Sequence, residues 1–179
     1  IDAIEAKQLE SKIACVISNK EGVYALERAK THGIEAIYIN PKEEAYDERL
    51  LRILQEKEID LVVLAGYLKI ISTKMIEEFK NRIINIHPSL LPKYGGHGYY
   101  GIHVHRAVID NNEKESGATV HYVDTGIDTG DIILQKSIPV LKGDTPEALQ
   151  KRVLEKVEHK ILVEAIRIIE NKIWHIDKL

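Results

Sequence analysis

The sequence predicts a single-domain α/β protein with a doubly wound, mostly parallel sheet and an antiparallel C-terminal edge. Three observations carry this reading. Short apolar runs alternate with amphipathic stretches through the first half, the pattern of strands separated by helices. The second half changes to two longer, more alternating runs around a turn-rich segment. With 179 residues, 44% of them hydrophobic, the chain has material for one sizeable core and too little for two ordinary domains.

Residues 12–17, 36–39, 61–65 and 82–86 are rich in β-branched side chains at successive positions, as strands buried on both faces are. Between them, residues 22–32, 43–57 and 73–80 place apolar side chains at helical spacing, as with Leu50, Leu51 and Leu54. The glycine-rich segment 93–101 can only be a loop and leads into a helix over 103–111. Residues 117–123 and 131–140 then form an antiparallel pair. Gly143-Asp-Thr-Pro-Glu147 announces a long helix running to about residue 170, with Asp144 or Thr145 as N-cap, Pro146 in the first turn and Glu147 placed for a capping box. No repeat, low-complexity stretch or linker marks an internal boundary.

The charge balance narrows the function. There are 25 basic and 28 acidic residues, spread throughout for a net charge of -3, so nucleic acid finds no basic stripe. Cys15 is the one cysteine, which leaves neither a disulfide framework nor a thiolate metal site and favours a reducing compartment. No apolar run approaches the roughly 20 residues of a membrane span. A cytoplasmic protein without membrane partners is expected.

The chemistry concentrates in Ile84-Asn85-Ile86-His87-Pro88. Alternate residues of a strand share a face, so Asn85 and His87 converge while Ile84 and Ile86 pack on the opposite side. Pro88 keeps His87 extended. An amide donor beside an imidazole at the carboxyl end of a strand suits an oxyanion. Asp124 and Asp128, in the loop between the two late strands, offer a carboxylate to hold the imidazole charged. No nucleophile is set up: Ser89 lacks the glycines of a nucleophile elbow, and Cys15 lies inside an apolar strand. His103 and His105 point to different faces of a helix, so no metal is expected.

Asn85-Ile-His-Pro-Ser-Leu-Leu-Pro92, with Leu64-Ala-Gly-Tyr-Leu-Lys-Ile-Ile71 before it and Gly117-Ala-Thr-Val-His-Tyr-Val-Asp-Thr-Gly-Ile-Asp128-Thr-Gly-Asp-Ile-Ile-Leu-Gln135 after it, resembles the phosphoribosylglycinamide formyltransferases over nearly the whole chain. The resemblance implies the formyltransferase fold and a transferase of de novo purine biosynthesis. Such an enzyme moves the formyl group of the co-substrate 10-formyltetrahydrofolate directly to the glycine amine of glycinamide ribonucleotide, through a tetrahedral intermediate. Asn85, His87 and Asp128 become the catalytic trio, with protonated His87 as an oxyanion donor and Asp128 ordering a water that shuttles the proton.

The same resemblance assigns folate contacts to Leu68, Lys69, Ile70, Ile71, Ile76, Ile83, Val123 and Asp124. It assigns ribonucleotide contacts to Gly66, Ile86, Pro88 and Glu158. Glu155 competes with Glu158, because residues 152–159 are one longer than in some relatives. Glu43 and Lys69 stand where relatives often carry arginines. The chain starts, at Ile1, within the helix that in relatives follows a first strand and a phosphate loop, which implies an N-terminally incomplete domain. A monomer or homodimer is expected. The competing readings are a formyltetrahydrofolate deformylase and a non-catalytic binding remnant; a methionyl-tRNA formyltransferase is disfavoured, because that relative normally adds a C-terminal RNA-binding domain.

Overall fold

The computed structural model describes residues 1–176. The chain divides into two compact units, Ile1–Asp60 and Leu61 onward.

The first unit holds α1 (Asp2–Glu5), β1 (Cys15–Ser18), α2 (Tyr24–Thr31), β2 (Glu35–Tyr38) and α3 (Tyr46–Glu56). β1 and β2 pair in parallel, from Cys15 opposite Glu35 to Ser18 opposite Tyr38, and α2 makes the crossover that parallel strands require. β1 is shorter than the apolar run 12–17 because its partner begins only at Glu35. α2 buries Leu26 and Ala29, and α3 buries Tyr46, Leu50, Leu51 and Leu54 as one apolar stripe. Cys15 is half-buried, and burial pushes its thiol up, so it stays protonated and unreactive.

The second unit holds β3 (Val62–Leu64), α4 (Thr73–Glu78), β4 (Ile83–His87), α5 (Ile102–Asp110), β5 (Glu115–Tyr122) and β6 (Ile132–Pro139), followed by α6 (Pro146–Val153), a π-helical turn (Leu154–Glu158) and α7 (His159–Ile176). Its sheet runs β3-β4-β5-β6, with β3 and β4 parallel and the two later ladders antiparallel. The α/β class, the parallel crossovers and the antiparallel edge are those the sequence predicts. Among the described residues the strands form two sheets, because β1 bonds only to β2 and β3 only to β4.

The sheet of the second unit has two unlike faces. Ile84 and Ile86 of β4 and Ala118 and Val120 of β5 join one core with Leu149, Val153, Val157, Ile161, Ala165 and Ile169 from the C-terminal helices. The alternate residues, Asn85, His87, Thr119 and His121, therefore face the other way. The antiparallel register sets Asn85 opposite His121 and His87 opposite Thr119, at the spacing of directly facing cross-strand pairs.

The C-terminal helical stretch explains its own irregularity. Its buried residues recur every four positions from Leu149 to Ile169. On an α-helix each such step overshoots a full turn by about 40°, so five steps would carry the row over to the solvent side. A π turn absorbs an extra residue and returns the row to the core. At the head of α6 the cap is Thr145, whose hydroxyl accepts from the Ala148 N–H at 3.2 Å. Asp144 instead accepts from the Leu141 N–H at 2.7 Å and pairs with Arg152, so Glu147 sits one position early for a capping box.

Candidate active site

Three segments converge at the carboxyl end of β4. Asn85 and His87 come from the strand itself. Residues 88–96 turn back beside it, and the loop 123–131 closes from the end of β5. The ends of that loop are pinned by the Val123 N–H donating to the Ile83 carbonyl and the Tyr122 N–H to the Asp131 carbonyl, both at 2.9 Å. Gly130 is required at its close, since a Cβ there would stand 1.9 Å from the Tyr122 carbonyl oxygen. Asp124 organises the loop interior, accepting from the Gly126 N–H at 3.0 Å and the Thr129 hydroxyl at 2.7 Å. This is the turn role its sequence setting predicts.

Asp128 reaches the strand from a left-handed backbone, φ 57°, a conformation that aspartate tolerates better than most residues. Its Oδ2 accepts from the Gly96 N–H at 3.0 Å and lies 3.5 Å from His87 Nδ1. Its Oδ1 lies 3.5 Å from Asn85 Nδ2 and 3.6 Å from His121 Nε2. The predicted trio is thus brought together around one carboxylate. Its contacts to Asn85 and His87 are longer than the 2.7–2.9 Å or so of a tight charge-assisted bond, so a substrate oxygen can compete for both groups.

Opposing influences set the ionisation of His87, which the sequence leaves open. Burial pushes the imidazole below its ordinary 6.5, against the Asp128 carboxylate and the Tyr94 carbonyl, which pull upward. The net direction favours the neutral ring at pH 7. A carbonyl can only accept, so the 2.7 Å contact with the Tyr94 oxygen places the proton on Nε2 and leaves Nδ1 as a lone pair toward Asp128. For Asp128 burial acts upward, but the neighbouring His121 ring, the bond from the Gly96 N–H and the charge environment outweigh it, and the carboxyl stays below its ordinary 3.8.

The sequence reading missed the supports of this trio. The Tyr94 carbonyl and the Gly96 N–H lie in a segment whose glycines predicted only a loop; Gly96 has φ 86°, which a side chain would resist. Thr119 ties the turn to the sheet: its hydroxyl donates to the Ser89 carbonyl at 2.7 Å and accepts from the Leu91 N–H at 3.2 Å and Gln135 Nε2 at 2.8 Å. Ser89, offered no nucleophilic role, donates to the Lys93 carbonyl at 2.6 Å and is structural. The period-two polar pair Thr119 and His121, alternating with the core residues Ala118 and Val120, was the available signal.

The remaining sequence-assigned residues are distributed as follows. Leu68 and Ile70 lie on the segment after β3 with 61% and 67% of their surface exposed, large apolar groups turned to solvent. Gly66 is exposed as well, Lys69, Ile76, Val123 and Pro88 are half-buried, and Asp124 is exposed. Ile71 and Ile83 are core residues that can only back a pocket, and Ile86 packs in the core, leaving its backbone for any ligand contact. Glu43 is engaged by Arg49, with both oxygens 2.9 Å from the guanidinium. His105 is wholly buried and pushed down to about 4 by burial, while His103 stacks edge-on to Tyr100, so the two point apart. Among the described residues no three potential ligands cluster for a metal, and no helix is long and apolar enough to cross a membrane.

Glu155 and Glu158 separate clearly. Glu155 is exposed and lies 3.9 Å from Lys151 across one helical turn. Glu158 is half-buried at the end of the π turn, and burial pushes its carboxyl up to about 7. A carboxyl raised from 4.5 to about 7 favours the folded state most below pH 4.5 and loses that contribution as pH rises to about 7. Glu158→Gln cannot ionise. Its melting temperature should match the wild type at pH 4.5 and exceed it by a few degrees at pH 8, since 1 kcal/mol is worth about 2–4 °C at this size. Thermal melts at both pH values check this, and equal differences at both would contradict it.

The chain is similar to known proteins in sequence and fold. The formyl transferase family profile matches residues 1–166. The trifunctional purine biosynthetic protein adenosine-3 of Drosophila melanogaster is 41% identical over 93% of the chain, which spans 12% of that protein. The phosphoribosylglycinamide formyltransferase of Escherichia coli is 37% identical over 90% of the chain and 75% of its own length. The crystal structure of glycinamide ribonucleotide transformylase 1 from Symbiobacterium toebii superposes with a TM-score of 0.88 at 40% identity, covering 96% of this chain and 80% of that one. The chain belongs to the formyl transferase family, on its phosphoribosylglycinamide formyltransferase branch.

Proposed function

We propose that the protein transfers the formyl group of 10-formyltetrahydrofolate to the glycine amine of glycinamide ribonucleotide. The observation that carries this is the convergence of Asn85, His87 and Asp128 at the carboxyl end of β4, beside a segment that turns Leu68 and Ile70 to solvent. The exposed apolar pair suits a flat, largely apolar co-substrate. The reaction needs no enzyme nucleophile. The amine attacks the formyl carbon, a carbon–nitrogen bond forms, and the carbonyl oxygen becomes an oxyanion that accepts a hydrogen bond from Asn85 Nδ2.

Neutral His87 changes the proton's route. Its Nδ1 lone pair takes the proton that the attacking amine sheds, and the imidazolium that results is stabilised by Asp128. The same proton passes to the folate nitrogen as its bond to the formyl carbon breaks, directly or through a water that Asp128 holds. Glu158 contacts the ribonucleotide, where a carboxyl near neutrality can donate as well as accept.

The test is spectrophotometric release of folate from a 10-formyl analogue with and without glycinamide ribonucleotide. Release only with the ribonucleotide is the expected result. Release without it identifies a deformylase, in which water replaces the amine, and no release in either mixture identifies a binding-only chain.

A further inference from the structure

We propose that His121 is a positioning residue that fixes which way the Asn85 carboxamide faces. His121 is 2% exposed, and both of its ring nitrogens are engaged. Nδ1 lies 2.8 Å from the Tyr122 carbonyl oxygen, which can only accept, so Nδ1 carries the proton. Nε2 is then a bare lone pair. It lies 3.2 Å from Asn85 Nδ2 and must accept from it.

The consequence falls on Asn85. Its amide nitrogen has two N–H bonds and faces two acceptors, His121 Nε2 at 3.2 Å and Asp128 Oδ1 at 3.5 Å. Turning the amide over would set its oxygen against a lone pair and a carboxylate at once, three acceptors with no hydrogen among them. The shorter bond anchors the nitrogen, and the longer one leaves the second N–H for the stronger acceptor that forms when the formyl carbon becomes tetrahedral. The antiparallel register makes this possible, since Asn85 and His121 are directly paired across β4 and β5. His121 touches no reacting atom; it acts through Asn85.

The inference rests on the formyl-transfer reading, and its test separates the two. His121→Phe removes the acceptor and His121→Gln replaces it with a carboxamide oxygen. The Phe variant should lower kcat by about 10- to 100-fold, short of the 10²–10³ that loss of the oxyanion donor itself costs, with both KM values unchanged. The Gln variant should recover part of the loss. In an Asn85→Ala background, His121→Phe should change nothing further, because the group it positions is gone. Equal losses in both backgrounds, or an unchanged kcat, overturn the proposal. NMR of the imidazole nitrogens of the wild-type protein tests it without activity: a proton on Nδ1 and none on Nε2 is expected, and the opposite tautomer overturns it. Should the wild type fail to turn over glycinamide ribonucleotide, the reaction assignment falls and the NMR result alone decides the role of His121.

Discussion

Asn85→Ala should lower kcat by about 10²–10³ while leaving the KM for the formyl folate near its wild-type value. The carboxamide sits at the end of β4 with its nitrogen turned toward the Asp128 carboxylate, and its contribution grows only as the formyl oxygen acquires charge. Removing it takes away transition-state stabilisation and little ground-state binding. The strand should survive, because the inward residues Ile84 and Ile86 are untouched and β4 keeps both of its ladders. A modest loss of stability is expected, about 1–3 kcal/mol, since the buried Nε2 of His121 loses its donor. Steady-state kinetics with a thermal melt checks both parts. A kcat within a few-fold of wild type, in a folded variant, would remove Asn85 from the catalytic trio.

How far the sequence discloses this site depends on which residues carry the information. Asn85 and His87 were legible because two polar groups at spacing two in an apolar strand must share a face, and the observed strand puts them there. Their partner Asp128 was legible only through the resemblance. The loop 123–131 has several acidic side chains, and what distinguishes Asp128 from Asp124 is a left-handed backbone together with the Gly96 N–H, a contact across 32 residues of chain. The protonation of His87 was not legible, for a similar reason. Spacing reveals the carboxylate that raises a pKa but not the burial that lowers it, and here burial is the larger influence. The π turn was not legible, because its form depends on a row of core contacts that recurs every four positions along two helices.

Asp128→Asn should reduce turnover by about 10²–10⁴, the range of a lost general acid–base partner. The substitution keeps the shape, and an amide oxygen can still accept from the Gly96 N–H, so the loop should keep its place. What disappears is the negative charge that stabilises His87 once it takes the amine's proton. The pH profile shows which role the imidazole plays. With its pKa below 6.5, wild-type His87 is a free base at neutral pH, so kcat/KM should hold as pH falls through 6.5 and decline only below it. In the variant one upward influence on His87 is gone, so the acid limb should move to still lower pH while the plateau drops. A His87 that had to be charged beforehand would give the opposite profile, with wild-type activity lost as pH rises through 6.5. Profiles of kcat/KM for the two proteins from pH 4.5 to 8 distinguish these roles. A wild-type rate that falls on the alkaline side of 6.5 would restore the imidazolium as the starting state and make Asn85 and His87 joint oxyanion donors from the outset.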